Sequence, residues 1–228
     1  MIKNIFLDAG GVILNERIFD ENSAIIITDI IKKYNKDYSI KNYWNDVDEA
    51  VYRFIPKVYD YVLFKNIKKI NEFEHEKKQY KIEIKIKNKF ELMNGIKEFL
   101  IEYSKQYKIG ILGQYGKDFK YYLKNENIIQ YFTYTEIQDN YYVTKPDTRY
   151  FINILEKCNC EAEESIMIGD RIDKDIIPAK MVGMKTIRIK TGIHKKQEAR
   201  IPEEIPDLTI DNINEINMEK IKIMDYVA

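Results

Sequence analysis

The chain has 228 residues, 45% hydrophobic and 32% charged, the balance of a soluble globular protein with one large domain or two smaller ones. Lys+Arg and Asp+Glu both number 37, so the formal net charge is +0 and no basic surplus points to nucleic acid or an anionic membrane as a bulk partner. No stretch reaches the roughly 18 apolar residues of a membrane span. Asp8 interrupts the N-terminal apolar run too early for a signal peptide, and Cys158 and Cys160 are spaced like neither a redox pair nor a zinc half-site. A cytoplasmic protein with reduced thiols is the expectation.

The first element is "NIFLDAGG", a nearly continuous apolar run ending in Asp8 and two glycines. Such runs suit strands covered on both faces. Residues 16–90 read differently. "ENSAIIITDIIKKYN", "NYWNDVDEAVYRF" and "VYDYVLFKNIKKINEF" are successive helical patterns with no strong strand between them. "KIEIKIKNKF" is read as the helix that ends this insertion, although Ile82, Ile84 and Ile86 alternate as a strand would. In "GIKEFLIEYSKQY", Ile96, Phe99, Leu100 and Tyr103 fall at helical spacing, and the strand-like "YKIGILGQ" follows. "DTRYFINILEKC" repeats the helical pattern through Tyr150, Phe151, Ile154 and Leu155. "SIMIGD" and "KTIRIK" are two more strands, separated by a helix with Pro178 in its first turn and Gly183 at its end. Strands alternating with helices predict a parallel sheet in an α/β fold, where ligands sit at the carboxyl ends of strands. Asp8, Gly113 and Asp170 all hold strand-end positions. Lys145 precedes Pro146, which keeps it extended just before a helix.

In this order, a strand-end Asp, a strand-end small residue, a Lys before Pro and "GDRIDKDIIPAKMVGMKTIRI" resemble the haloacid dehalogenase-like (HAD) hydrolase superfamily over nearly the whole chain. The last segment is the most specific. The resemblance implies a Rossmann-like three-layer core with a parallel sheet, residues 1–15 and 91–228, and an inserted α-helical cap, residues 16–90. It further implies a magnesium-dependent phosphatase of a small phosphorylated metabolite. Asp8 would be the nucleophile that forms an aspartyl-phosphate. Lys145 would set a positive charge beside it, and Gly113, Gln114 and Lys145 would hold the substrate. Asp8, the Gly10 carbonyl, Asp170 and Asp175 would hold Mg²⁺, with Asp175 preferred over Asp173 as the supporting acid. The resemblance leaves the oligomeric state open.

Two positions depart from the superfamily pattern. The residue two after the nucleophile is commonly a second Asp that protonates the leaving group; here it is Gly10. General acid–base catalysis contributes about 10²- to 10⁴-fold, so its loss slows turnover without removing it. The usual Ser or Thr is Gly113, with the Gln114 amide as a stand-in for the lost hydroxyl. These departures motivate an alternative reading, a weak or inactive member that binds a phosphorylated ligand or a protein partner. A dehalogenase would need no metal and would leave the acids around Asp170 without a purpose. His75, Trp44, Tyr52, Arg53 and Phe54 read as ordinary residues of the insertion, Arg53 being the one anion anchor among them. His194 follows the last clear strand.

Overall fold

A computed structural model describes residues 1–113, 115–135 and 143–225. Five strands form one parallel sheet: β1 (Asn4–Leu7), β2 (Lys108–Ile111), β3 (Ser165–Gly169), β4 (Lys185–Ile189) and β5 (Leu208–Ile210), in the order β2-β1-β3-β4-β5. The register aligns Leu7 with Ile111 on one side and with Ile168 on the other, so three strands end level. Helices cover both faces, and strand alternation divides the side chains between them. Ile5, Leu7, Ile109, Ile111, Ile166, Ile168, Ile187 and Ile189 pack with α5 (Ile96–Tyr103), α6 (Lys117–Asn125) and α9 (Met218–Met224). Phe6 and Met167 face the other way, onto Tyr150, Phe151, Ile154 and Leu155 of α7 (Thr148–Cys158) and Ala179 of α8 (Ile177–Met181). This is the three-layer α/β core. β5 lacks the long apolar run that marks the other strands, since only Ile210 of its three residues is buried.

The chain divides into two compact units: Met1–Asn15, Phe90–Thr191 and Ala199–Ala228 form the α/β unit, and Glu16–Lys89 with Gly192–Glu198 form a helical one. The helical unit contains α1 (Arg17–Lys32), α2 (Ile40–Tyr52), α3 (Val58–Asn66) and α4 (Ile70–Lys87) around its own core of Ile27, Ile31, Tyr43, Val47, Val62 and Leu63. The segment "VYDYVLFKNIKKINEF" is two helices rather than one. Asn66 turns its side-chain amide back to the Val62 carbonyl at 2.9 Å and to Asp46 at 2.8 Å, a local bond that competes with continuing α3. Residues 81–87 are helical: Ile84 is buried while Ile82 and Ile86 are exposed, so the isoleucine alternation carries no strand. Gly192–Glu198 joins the helical unit because Ile193 packs on its core and Lys196 pairs with Asp48 at 2.6 Å. Among the described residues no helix is long and apolar enough to cross a membrane.

Candidate active site

Asp8 follows β1 directly, and its backbone N–H donates to the Ile168 carbonyl at 2.9 Å. Asp170 follows β3 in the same way, so parallel neighbours bring both acids to the carboxyl edge of the sheet. The chain then turns sharply after Asp8. Ile13 and Leu14 donate to the Ala9 carbonyl at 3.1 and 2.8 Å, and Gly11 donates to Leu14 at 2.9 Å. Gly11 sits at φ +70°, a left-handed conformation that glycine adopts without strain. A Cβ there would lie 2.9 Å from the Asp170 carboxyl, so the turn lies against that acid.

Asp175 arrives from a π-helical turn, Ile172–Ile176, which follows the Gly169-Asp170 strand end. Any side chain at Gly169 would collide with Asp175, and the bare backbone lets this acid fold under the strand end. Asp175 is fully buried. Its Oδ2 accepts from the Arg171 N–H at 3.1 Å, and its Oδ1 accepts from Lys145 Nζ at 2.6 Å. The same ammonium donates to Asp8 Oδ1 at 2.5 Å. Lys145 lies on the turn before α7, whose start is fixed by the Asp147 carboxylate accepting from the Arg149 N–H at 2.9 Å. One oxygen each of Asp8, Asp170 and Asp175 lie within 4.8 Å of one another.

Burial pushes the Asp175 carboxyl up to about 6, with Lys145 pulling it down and Asp8 pushing it further up. Burial opposes the Lys145 charge, but Asp175 and Asp8 outweigh it and raise the ammonium well above its ordinary value. Lys145 is therefore a fixed cation at neutral pH. The three carboxylates present hard oxygen donors to one small volume, and Lys145 pairs with two of them, Asp8 and Asp175.

Asp173 lies outside that group. Arg171 holds both of its oxygens, Nε to Oδ1 at 3.1 Å and Nη2 to Oδ2 at 2.5 Å, a two-point fork. Gly113 lies beside Asp8: a Cβ added there would be 3.2 Å from Asp8 Oδ1. Gln114 lies outside the described residues. His75 is exposed on α4, and His194 is buried in the helical unit. Trp44 packs edge-on against Tyr43, and Arg53 is tied to Glu49 at 3.0 Å and to Tyr61 at 3.1 Å. Tyr52 is exposed, and Phe54 adopts a left-handed φ of 56° just after α2.

Reading the sequence for motifs passed over Arg188. It is only 4% exposed on β4, and its Nε reaches the Asp170 carbonyl at 3.4 Å. Burial lowers its pKa and Asp170 pulls it back up. The signal was a charged residue inside an apolar strand, where it has a reason to be buried.

Residues 17–189, more than half of the chain, match the family described as haloacid dehalogenase-like hydrolase. A glyceraldehyde 3-phosphate phosphatase of Methanopyrus kandleri is 35% identical over 89 residues, 39% of this chain and 38% of that protein. A phospholysine phosphohistidine inorganic pyrophosphate phosphatase of Xenopus laevis is 34% identical over 71 residues, 31% of this chain and 26% of that protein. The chain thus spans well under half the length of these curated relatives. In fold, the HAD-hydrolase YfnB of Bacillus subtilis, solved bound to magnesium, superimposes with a TM-score of 0.64 at 15% identity, covering 99% of each chain. A parallel sheet with acids at its carboxyl edge, a family match through most of the sequence and an end-to-end structural likeness agree, and the chain belongs to the haloacid dehalogenase-like hydrolase family.

Proposed function

We propose that this chain is a phosphatase of small phosphorylated metabolites, with Asp8 as the nucleophile. The observation that carries this reading is the convergence of the Asp8, Asp170 and Asp175 carboxylates, two of which, Asp8 and Asp175, also hold the Lys145 ammonium. An Asp8 oxygen attacks phosphorus, the bond to the leaving group breaks, and an aspartyl-phosphate forms; water then cleaves it and returns the carboxylate. Lys145 orients Asp8 and places positive charge beside the transferring group. The donor set fits a hard divalent cation, and we assign Mg²⁺ to Asp8, the Gly10 carbonyl, Asp170 and Asp175. When bound, the ion offsets repulsion between an anionic nucleophile and an anionic phosphate. The magnesium in the Bacillus subtilis structure supports the assignment. The helical unit is given the role of the cap that selects substrate.

The two phosphatase relatives direct the first substrates to try: glyceraldehyde 3-phosphate, pyrophosphate and phospholysine. The purified chain with Mg²⁺ is expected to release phosphate from p-nitrophenyl phosphate or from a member of such a panel. Asp8→Asn is expected to abolish release while still folding to a cooperative native state. Release equal in the two proteins would overturn the reading. Gly10 and Gly113, which lack the acid and hydroxyl side chains usual in the family, favour a second reading, a binder of phosphorylated ligands with little turnover. Tight binding of such a ligand without hydrolysis would select it.

A further inference from the structure

We propose that Thr191 is a positioning residue for the turn that carries Asp8 and Gly10, acting through a single hydrogen bond to the Gly11 carbonyl. Its hydroxyl donates to that carbonyl at 2.7 Å. The two residues are 180 positions apart in the sequence, so the bond ties the end of β4 to the loop after β1. The Thr191 N–H itself donates to the Ile189 carbonyl at 3.1 Å, which fixes the residue against its own strand.

The turn needs such a tether. Gly11 is left-handed, and a Cβ on it would meet Asp170 at 2.9 Å and the Thr191 hydroxyl at 3.0 Å. Three groups therefore converge on one backbone position: the Gly11 peptide, the Asp170 carboxylate and the Thr191 hydroxyl. The N–H of Gly11 is directed inward, to Leu14, which leaves its carbonyl to be oriented from outside the loop. Gly10, immediately before it, has no side chain to hold its own place. Arg188, on β4 just before it, reaches the Asp170 carbonyl at 3.4 Å. β4 and the residues just after it thus brace both acid-bearing loops, Arg188 on the β3 side and Thr191 on the β1 side.

The role assigned to Thr191 rests on the reading of Asp8 and Gly10 as metal ligands, but the tether itself is testable without metal or substrate. Thr191→Val keeps the shape and removes the hydroxyl; Thr191→Ser keeps the hydroxyl. Amide hydrogen exchange of the metal-free proteins is the first readout. Thr191→Val is expected to speed exchange at Gly11 and Leu14 by roughly five- to tenfold, the worth of one hydrogen bond, with the β1 amides unchanged. Thr191→Ser is expected to match the parent. Mg²⁺ titration by calorimetry is the second readout, with affinity weakened by a similar factor in Thr191→Val and restored in Thr191→Ser. Unchanged exchange in Thr191→Val, or equal losses in the two variants, would overturn the proposal. Faster exchange spread over the whole sheet would do so too, because it would mark a merely structural role. A chain that shows the local exchange effect but hydrolyses no phosphate would instead count against the phosphatase reading alone.

Discussion

Replacing Lys145 by Met tests the charge arrangement at the sheet edge in a way that needs no substrate. The ammonium bridges Asp8 Oδ1 at 2.5 Å and Asp175 Oδ1 at 2.6 Å, with side chains 10%, 14% and 1% exposed respectively for Lys145, Asp8 and Asp175. Methionine keeps the length and packing but strands two carboxylates. Removing one partner of a buried ion pair costs about 3–5 kcal/mol, and the partial exposure of Asp8 argues for the lower end, about 3 kcal/mol. For a chain of this size that is a fall of roughly 6–12 °C in melting temperature. The loss should depend on pH. Asp175 already titrates at about 6 in the fold against 3.8 ordinarily, so folding retains its proton and stability falls as pH rises through that window. Without Lys145 the carboxyl moves higher still, and the window extends into neutral pH. Thermal melts in EDTA are therefore expected to show a deficit for Lys145→Met that is largest at pH 8 and shrinks toward pH 5. Mg²⁺ should recover more stability in the variant than in the parent, since the ion would supply the missing positive charge. A deficit independent of pH would refute this account, because it would mean that Lys145 acts through its hydrocarbon stem.

Two further changes probe other parts of the molecule. Asp20, in α1, is raised from 3.8 to about 6 by burial, partly offset by the Tyr59 hydroxyl at 2.5 Å and reinforced by Glu21. Stability is thus lost as pH climbs from 3.8 to about 6, at most about 3 kcal/mol; Asp20→Asn should be more stable than the parent at pH 8 and equal to it near pH 4, and parallel denaturation curves at both would disprove this. Gly10 has no left-handed φ, so Gly10→Asp meets no backbone obstacle. It is expected to raise turnover about 10²-fold on alkyl phosphates, with little gain on p-nitrophenyl phosphate, whose leaving group needs no proton; equal gains on both would argue against a missing acid.

The fold was legible because its central strands are unbroken apolar runs that end in acids or glycine. Ile5 to Leu7 and Ile166 to Ile168 read as strands covered on both sides, and they are adjacent. The positions of Asp8 and Asp170 could be picked out because each follows a strand, and that of Lys145 because it precedes Pro146 just before a helix. The family-like spacing favoured Asp175 over Asp173, but only the fold shows how they differ: they lie two residues apart on one turn, and Arg171 clamps the first with its side chain and the second with its N–H. Thr191 was invisible because its partner is a backbone carbonyl, which leaves no trace in side-chain patterns. Ile82, Ile84 and Ile86 alternate as a strand would, yet the helix expected there is the one found: two of the three face solvent, and only burial tells a helix from a strand at such a run.

The seven residues from Gly192 to Glu198 have a practical consequence for engineering. The helical unit is assembled from two stretches that lie far apart along the polypeptide, so no single excision isolates it. A chimera that transplants only Glu16–Lys89 from a homologue would leave the host's Ile193 and Lys196 facing foreign surfaces, with the seat for Ile193 and the Asp48 partner both replaced. Exchanges of the helical unit between members of this family should therefore move both pieces together, and recombination breakpoints fall naturally at Asn15, Lys89, Thr191 and Glu198.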